Sequence, residues 1–151
     1  MSDYEFTITL RVRHPDIDPE RITVTLGVDP QASWKKGDPR FGPQGEPLPG
    51  AHRESYWTGG LMPAPQLSSE YSSIEVELLK ILARLREYYE FLLELRSDGA
   101  ASELHVSLFA RQEFRLDFSP ATLELLGRLG LAVALEVHPH MPEPRARPAS
   151  N

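Results

Sequence analysis

Trp34, Lys35, Lys36, Asp38 and Arg40 fall within seven residues, and Arg53, Tyr56 and Trp57 follow as a second cluster. Indole and guanidinium groups are the side chains that most often anchor protein interfaces. The pattern therefore predicts a recognition surface with Trp34, Lys36, Asp38, Arg40, Arg53 and Trp57 as its binding residues. A structural reading competes with it: Trp34 tucks into the edge of the core and the lysines are solvated. Strand alternation puts Tyr56 and Trp57 on opposite faces, one in the core and one exposed. Trp34 and Trp57 could meet across a hairpin, either as a sheet contact or as a ligand platform. Lys35-Lys36 could touch a phosphate, but the Gly-x-x-x-x-Gly-Lys spacing and following helix of a P-loop are absent.

Other chemistry is harder to assemble. The histidines are His14, His52, His105, His138 and His140. His138-Pro139-His140 has a weak metal-binding look, but no His-x-x-x-His or His-Glu-x-x-His occurs, so no metal and no cofactor are expected. His14 and His138 precede prolines at strand ends, where solvated turn residues are expected. No Gly-x-Ser-x-Gly elbow activates a serine. The pairs Asp16/Asp18 and Glu75/Glu77 read as local and solvated. Glu87, Glu90 and Glu94, with Arg84 and Arg86 near, read as a salt-bridged outer helix face. No catalytic residue is expected, and an enzyme or small-molecule binder stays open as the rival class.

Bulk properties narrow the partners. The net charge is −6 and there is no cysteine, which excludes disulfides and thiolate sites. No basic stripe marks a nucleic-acid binder, and an acidic chain is a poor match for anionic membranes. Met1-Ser2-Asp3-Tyr4-Glu5 lacks the basic and apolar regions of a signal peptide, so a cytoplasmic location is expected. A protein partner remains, with the chain itself a monomer or a homodimer.

The elements that must position the aromatic–arginine clusters follow from periodicity. Tyr4, Phe6, Ile8, Leu10 and Val12 alternate with Glu5, Thr7, Thr9, Arg11 and Arg13, which predicts a strand with one buried face. Asp18-Pro19 starts a short helix over Ile22, Val24 and Leu26, and Gly27 closes it. Short strands near 31–36 and 52–59 flank a long irregular loop, and Gly59-Gly60 opens a linker. Ile74, Leu78, Ile81, Leu85, Tyr88, Leu92 and Leu95 step by four and three, which predicts one long helix from Ser72 to Arg96. Ser72 with Glu75 reads as its capping box, and Ser97-Asp98-Gly99 as its end. At ~1.5 Å per residue it would span roughly 36 Å. Leu104, Val106 and Leu108 mark another strand, with Phe114, Leu116 and Phe118 as a short partner. Ser119-Pro120 opens a helix ending at Gly130, and Leu131–Val137 is dense enough to be a central strand. The expected fold is α+β: a two-layer sandwich of a mainly antiparallel sheet with one long and two short helices on one face, ferredoxin-like in outline. Residues 1–138 form the single domain, and 139–151 a disordered proline-rich tail.

The run Phe6-Thr7-Ile8-Thr9-Leu10-Arg11-Val12, then Asp18 through Pro30, Trp34-Lys35-Lys36-Gly37-Asp38 and the Tyr56-Trp57 strand resemble the bacterial domain of unknown function 4279 family. The resemblance spans about residues 4–138 and contains no catalytic motif. It implies a small cytoplasmic protein without an assigned activity. Comparable small α+β proteins sit beside toxins as immunity proteins, so a toxin is one partner the resemblance suggests.

Overall fold

The computed structural model describes residues 3–139. Its centre is β1 (Tyr4–His14), whose odd-even alternation sends Phe6, Ile8, Leu10 and Val12 into the core at 0–1 % exposure. The chain then forms α1 (Glu20–Leu26), β2 (Ala32–Trp34), β3 (Pro39–Phe41), β4 (Pro47–Ala51), β5 (Ser55–Gly60) and the two-residue β6 (Leu67–Ser68). After these come α2 (Ile74–Leu85), a 3₁₀ turn (Arg86–Tyr88), α3 (Tyr89–Ser97), β7 (Ala101–Ala110), α4 (Pro120–Arg128) and β8 (Leu131–His138). The main sheet runs β2-β5-β1-β7-β8, with β6 also pairing to β1. All its pairs are antiparallel except β7–β8, which is parallel and joined through α4. Without β6 and β8, the order is that of a ferredoxin-like sheet, and the fold is α+β.

The central helix is divided. The expected rod from Ser72 to Arg96 is α2, the 3₁₀ turn and α3, with the change of winding at Tyr88 (φ −108°, ψ 24°). No proline or glycine causes it. The turn keeps both apolar stripes on the sheet: Leu85 before it is 1 % exposed, and Leu92 and Leu95 after it are 3 % and 1 %. The cap also moves by one residue. Ser73 is the N-cap and accepts from the Val76 N–H, while Ser72 Oγ donates to Glu77 and Glu75 accepts from the Ser119 N–H. Glu75 thus ties the start of α4 to α2, and it is not part of a capping box.

Further expectations change for reasons of context. Phe114, Leu116 and Phe118 pack against the core as partly buried side chains, but their backbone joins no sheet. β8 is an edge strand, not a central one, and Leu135 and Val137 remain 45 % and 53 % exposed. Its apolar density reflects the α4 cover over its first half only. Gly59 and Gly60 end β5 and are not a linker. Val24 faces solvent, leaving Ile22 and Leu26 as the buried side of α1. Gly27 closes that helix at φ 66°, a conformation that glycine adopts without strain. The expected tail lies outside the described residues beyond Pro139.

Candidate functional site

The site grows from the β2–β5 pair, where Ser33 faces Trp57 and Trp34 faces Tyr56. Alternation then separates the two indoles. Trp57 enters the core, is 0 % exposed, and donates from Nε1 to Thr23 Oγ1 at 3.0 Å. It offers nothing to a partner, so the placement of Trp57 on the recognition surface is corrected: it is a core residue, and Trp34 and Trp57 do not flank a cleft. Trp34 lies on the opposite face of the strand pair and is half-buried. It stacks on His52 at 4.2 Å and on Tyr56 at 4.5 Å between ring centroids. Both rings pack against the Trp34 indole, which is left half-buried.

Between β2 and β5 the chain is a ribbon rather than an irregular loop. β3 and β4 pair antiparallel, with Arg40 opposite Leu48 and Phe41 opposite Pro47. The turn is closed by Gly42 N–H to the Glu46 carbonyl at 2.8 Å and Gly45 N–H to the Gly42 carbonyl at 2.9 Å. Every side chain of both strands is exposed. The base of the ribbon is closed by backbone bonds from Gly37 N–H to the His52 carbonyl and from His52 N–H to the Asp38 carbonyl. Asp38 shapes this junction, because its Oδ2 accepts the Lys35 N–H at 2.8 Å. Lys36 is fixed through its backbone: its N–H donates at 3.0 Å to Ser55 Oγ, which in turn donates to the Ile17 carbonyl at 2.6 Å. Its ammonium group is solvated.

Five of the six sequence candidates therefore sit around the foot of the ribbon, and two depressions join Trp34, Asp38, Arg40 and Arg53, while Lys36 lines neither. One is lined by Trp34, Arg40, Ala51, His52, Arg53 and Glu54. The other continues along Asp38, Pro39, Phe41 and Leu48. Arg40 Nη1 donates to the Pro49 carbonyl at 3.3 Å, which orients its guanidinium. His52, Phe41 and Leu48 were not among the sequence candidates. The signal for them was Phe41-Gly42-Pro43-Gln44-Gly45-Glu46, a glycine-bearing turn between two short runs, masked by prolines that read as breakers.

Residues 4–140 match the domain of unknown function DUF4279. The chain belongs to the DUF4279 family. No curated protein and no solved structure matches it. This DUF4279 domain has no helix among the described residues that is long and apolar enough to cross a membrane.

Elsewhere in the DUF4279 domain, titratable side chains serve the scaffold. His14 is buried, contrary to the expectation of a solvated turn residue. Its Nδ1 accepts from the N–H groups of Asp16 at 3.1 Å and Ile17 at 2.9 Å, and its Nε2 lies 3.3 Å from Asp98 Oδ2. Glu77 is also buried, at 2 % exposure, and is held by the Ser72 hydroxyl and Lys80. His105 pairs with Glu136 at 3.0 Å, and His138 stacks on Phe109. Arg21 and Glu94 form an exposed ion pair at 2.6 Å that holds the guanidinium above its ordinary range, first through the hydrogen bond and then through charge. Among the described residues no cluster of three metal-ligating side chains occurs, and His140 lies outside them.

Proposed function

We propose that this DUF4279 chain is a non-enzymatic module that binds another protein through the β3–β4 ribbon and its foot. The observation that carries the reading is the exposure of Phe41 and Leu48, 61 % and 36 %, on a ribbon that contributes no side chain to the core. An isolated two-stranded ribbon gains little stability on its own. Apolar side chains held out on such a ribbon act when a partner covers them. Arg40 beside them is already oriented by Pro49, which lowers the ordering cost of binding. The depressions are shallow and shared between charged and aromatic groups, which suits a protein surface better than the enclosed apolar pocket of a small-molecule site.

The test is affinity capture with the full chain, followed by the Arg40→Ala/Phe41→Ala double variant. The reading expects a stoichiometric protein partner that the double variant loses while its melting curve is unchanged. Retention of every partner by the double variant would overturn it. If the partner is a toxin, co-expression of the chain restores growth and co-expression of the double variant does not.

A further inference from the structure

The two edges of the main sheet are built differently. β2, at one edge, is three residues long, a short edge that offers another chain little to pair with. β8, at the other, runs for eight residues from Leu131 to His138. Among the described residues no strand pairs with its outer side, and no turn or loop backbone bonds to it. Long natural edges are guarded by lysine, proline or a bulge. β8 contains no lysine and no proline, and its register against β7 is unbroken from end to end. Its one carboxylate, Glu136, points to the face away from the helices, where His105 lies at 3.0 Å and His138 at 3.6 Å.

The helix side of this edge is apolar. Leu131 and Val133 pack into the core, whereas Leu135 and Val137 are 45 % and 53 % exposed. α4 adds a flank of the same kind. Thr122, Leu126 and Leu129 turn into the protein, and Leu125 and Arg128 line a depression with Arg86 and Tyr89 of the neighbouring helices. Leu123 and Gly127, one turn apart, therefore lie on the opposite flank, toward the free side of β8. Leu123 is 55 % exposed, and a Cβ built at Gly127 meets nothing within 4 Å.

These features match a second copy of the same edge. α4 has nine residues and spans about 14 Å, against about 27 Å for β8. Each copy thus covers one half of its own edge strand. Antiparallel pairing sets the bare half of one β8 beside the covered half of the other. With Leu135 at the two-fold axis, Val137 lies across from Val133 of the second copy, beside that copy's α4 flank. The symmetry also consumes both long edges and leaves only the two three-residue β2 edges outside, so the assembly closes at two. A strand edge about 27 Å long with a sheet and helix layer about 20 Å deep presents on the order of 500 Å² per copy. Two such faces reach the roughly 1,000 Å² that a specific interface needs.

We infer that two copies of this chain dimerise through antiparallel β8–β8 pairing, with Leu123, Leu135 and Val137 packed across the two-fold axis. The two β2-β5-β1-β7-β8 paths then join into one ten-stranded run. The β2 strands that lead into the ribbons stand nine strand spacings apart, about 43 Å, so both ribbons stay free and the dimer offers two docking sites. The dimer uses the edge opposite the ribbon and stands independently of the ribbon reading.

The full chain is examined by sedimentation velocity and thermal melting over about a hundredfold range of concentration. A monomer–dimer equilibrium is expected, and the melting temperature should rise with concentration. Leu135→Lys/Val137→Lys brings like charges together at the axis and should raise the dimer dissociation constant by about tenfold or more. Val24→Lys/Leu93→Lys changes two exposed apolar residues elsewhere, 71 % and 47 % exposed, and should leave that constant unchanged. In the parent, β8 amides should exchange slowly in the dimer and quickly in dilute monomer. The inference is overturned by a monomer at every concentration, by a dimer that Leu135→Lys/Val137→Lys leaves intact, or by equal weakening in both double variants. Slow exchange along the outer side of β8 in a monomer would assign the edge to another segment and overturn it too. Each of these results leaves the capture test of Arg40→Ala/Phe41→Ala untouched.

Discussion

Trp57 Nε1 donates to Thr23 Oγ1 across 3.0 Å, and this bond ties the middle of β5 to the outer turn of α1. The indole is otherwise enclosed, with 0 % of its surface exposed. β5 carries the partner strand of Trp34, so the bond also fixes the platform under the candidate site. Thr23→Val keeps the shape and removes the acceptor. The stranded N–H should cost about 1–3 kcal/mol, read as a lower urea midpoint with an unchanged slope. A midpoint equal to that of the parent chain would show that the indole N–H finds another acceptor.

Gly59 is required by the same ring. A Cβ built there meets Trp57 Cη2 at 2.6 Å, inside any normal contact, and the ring has a packed core on its other side. Gly59→Ala should therefore be destabilising by about 1–3 kcal/mol through overpacking. Gly60→Ala is the control, since its nearest contact is Gln31 Nε2 at 3.5 Å, an ordinary distance. Thermal melts of the two variants should separate by several degrees, with Gly60→Ala close to the parent.

His14 is a second hub that holds the end of β1 to the end of α3. Its Nδ1 accepts two backbone N–H groups, so the ring proton sits on Nε2 and is offered to Asp98. His14→Ala strands the Asp16 and Ile17 amides, each at a cost of about 1–3 kcal/mol if no water replaces the ring. Asp98→Asn keeps an acceptor and should cost far less. Amide hydrogen exchange reads the difference directly: Ile17 should exchange much faster in His14→Ala and nearly normally in Asp98→Asn.

The outline of this architecture was legible because its strongest signals are local. The Tyr4–Arg13 alternation, the Leu78–Leu85 and Leu92–Leu95 spacing and the Ser119-Pro120 cap each depend on neighbours in sequence. What stayed hidden depends on neighbours in space. The 3₁₀ turn before Tyr89 lets Leu85 on one side and Leu92 and Leu95 on the other all reach the core, and nothing in Arg86-Glu87-Tyr88 announces a break. Leu131–Val137 reads as central because apolar density shows a liking for burial, not whether a further strand exists to supply it. The candidate site divides in the same way. Trp34, Arg40 and Arg53 were visible as residue types, whereas the burial of Trp57 follows from which face of β5 meets α1. His14 looked like a turn residue because its two backbone donors lie just beyond a proline.

The ribbon allows function to be separated from stability, since it is exposed while its anchor is not. Phe41, Leu48 and Arg40 touch solvent on a pair of strands with no buried side chain. Replacing Phe41 by Ser and Leu48 by Ser should move the unfolding free energy by no more than about 0.5 kcal/mol. Ser55, by contrast, is 0 % exposed and joins the Lys36 amide to the Ile17 carbonyl through one hydroxyl. Ser55→Ala breaks both bonds in a dry site and should cost about 1–3 kcal/mol. It should loosen the ribbon foot without altering any side chain that reaches the surface. If the ribbon is the docking element, partner affinity falls steeply in Phe41→Ser/Leu48→Ser at constant melting temperature. In Ser55→Ala affinity and melting temperature fall together. Calorimetric titration alongside thermal melts separates the two. A double variant that binds as the parent does would remove the ribbon from the interface, because nothing in the fold requires those two side chains for any other purpose.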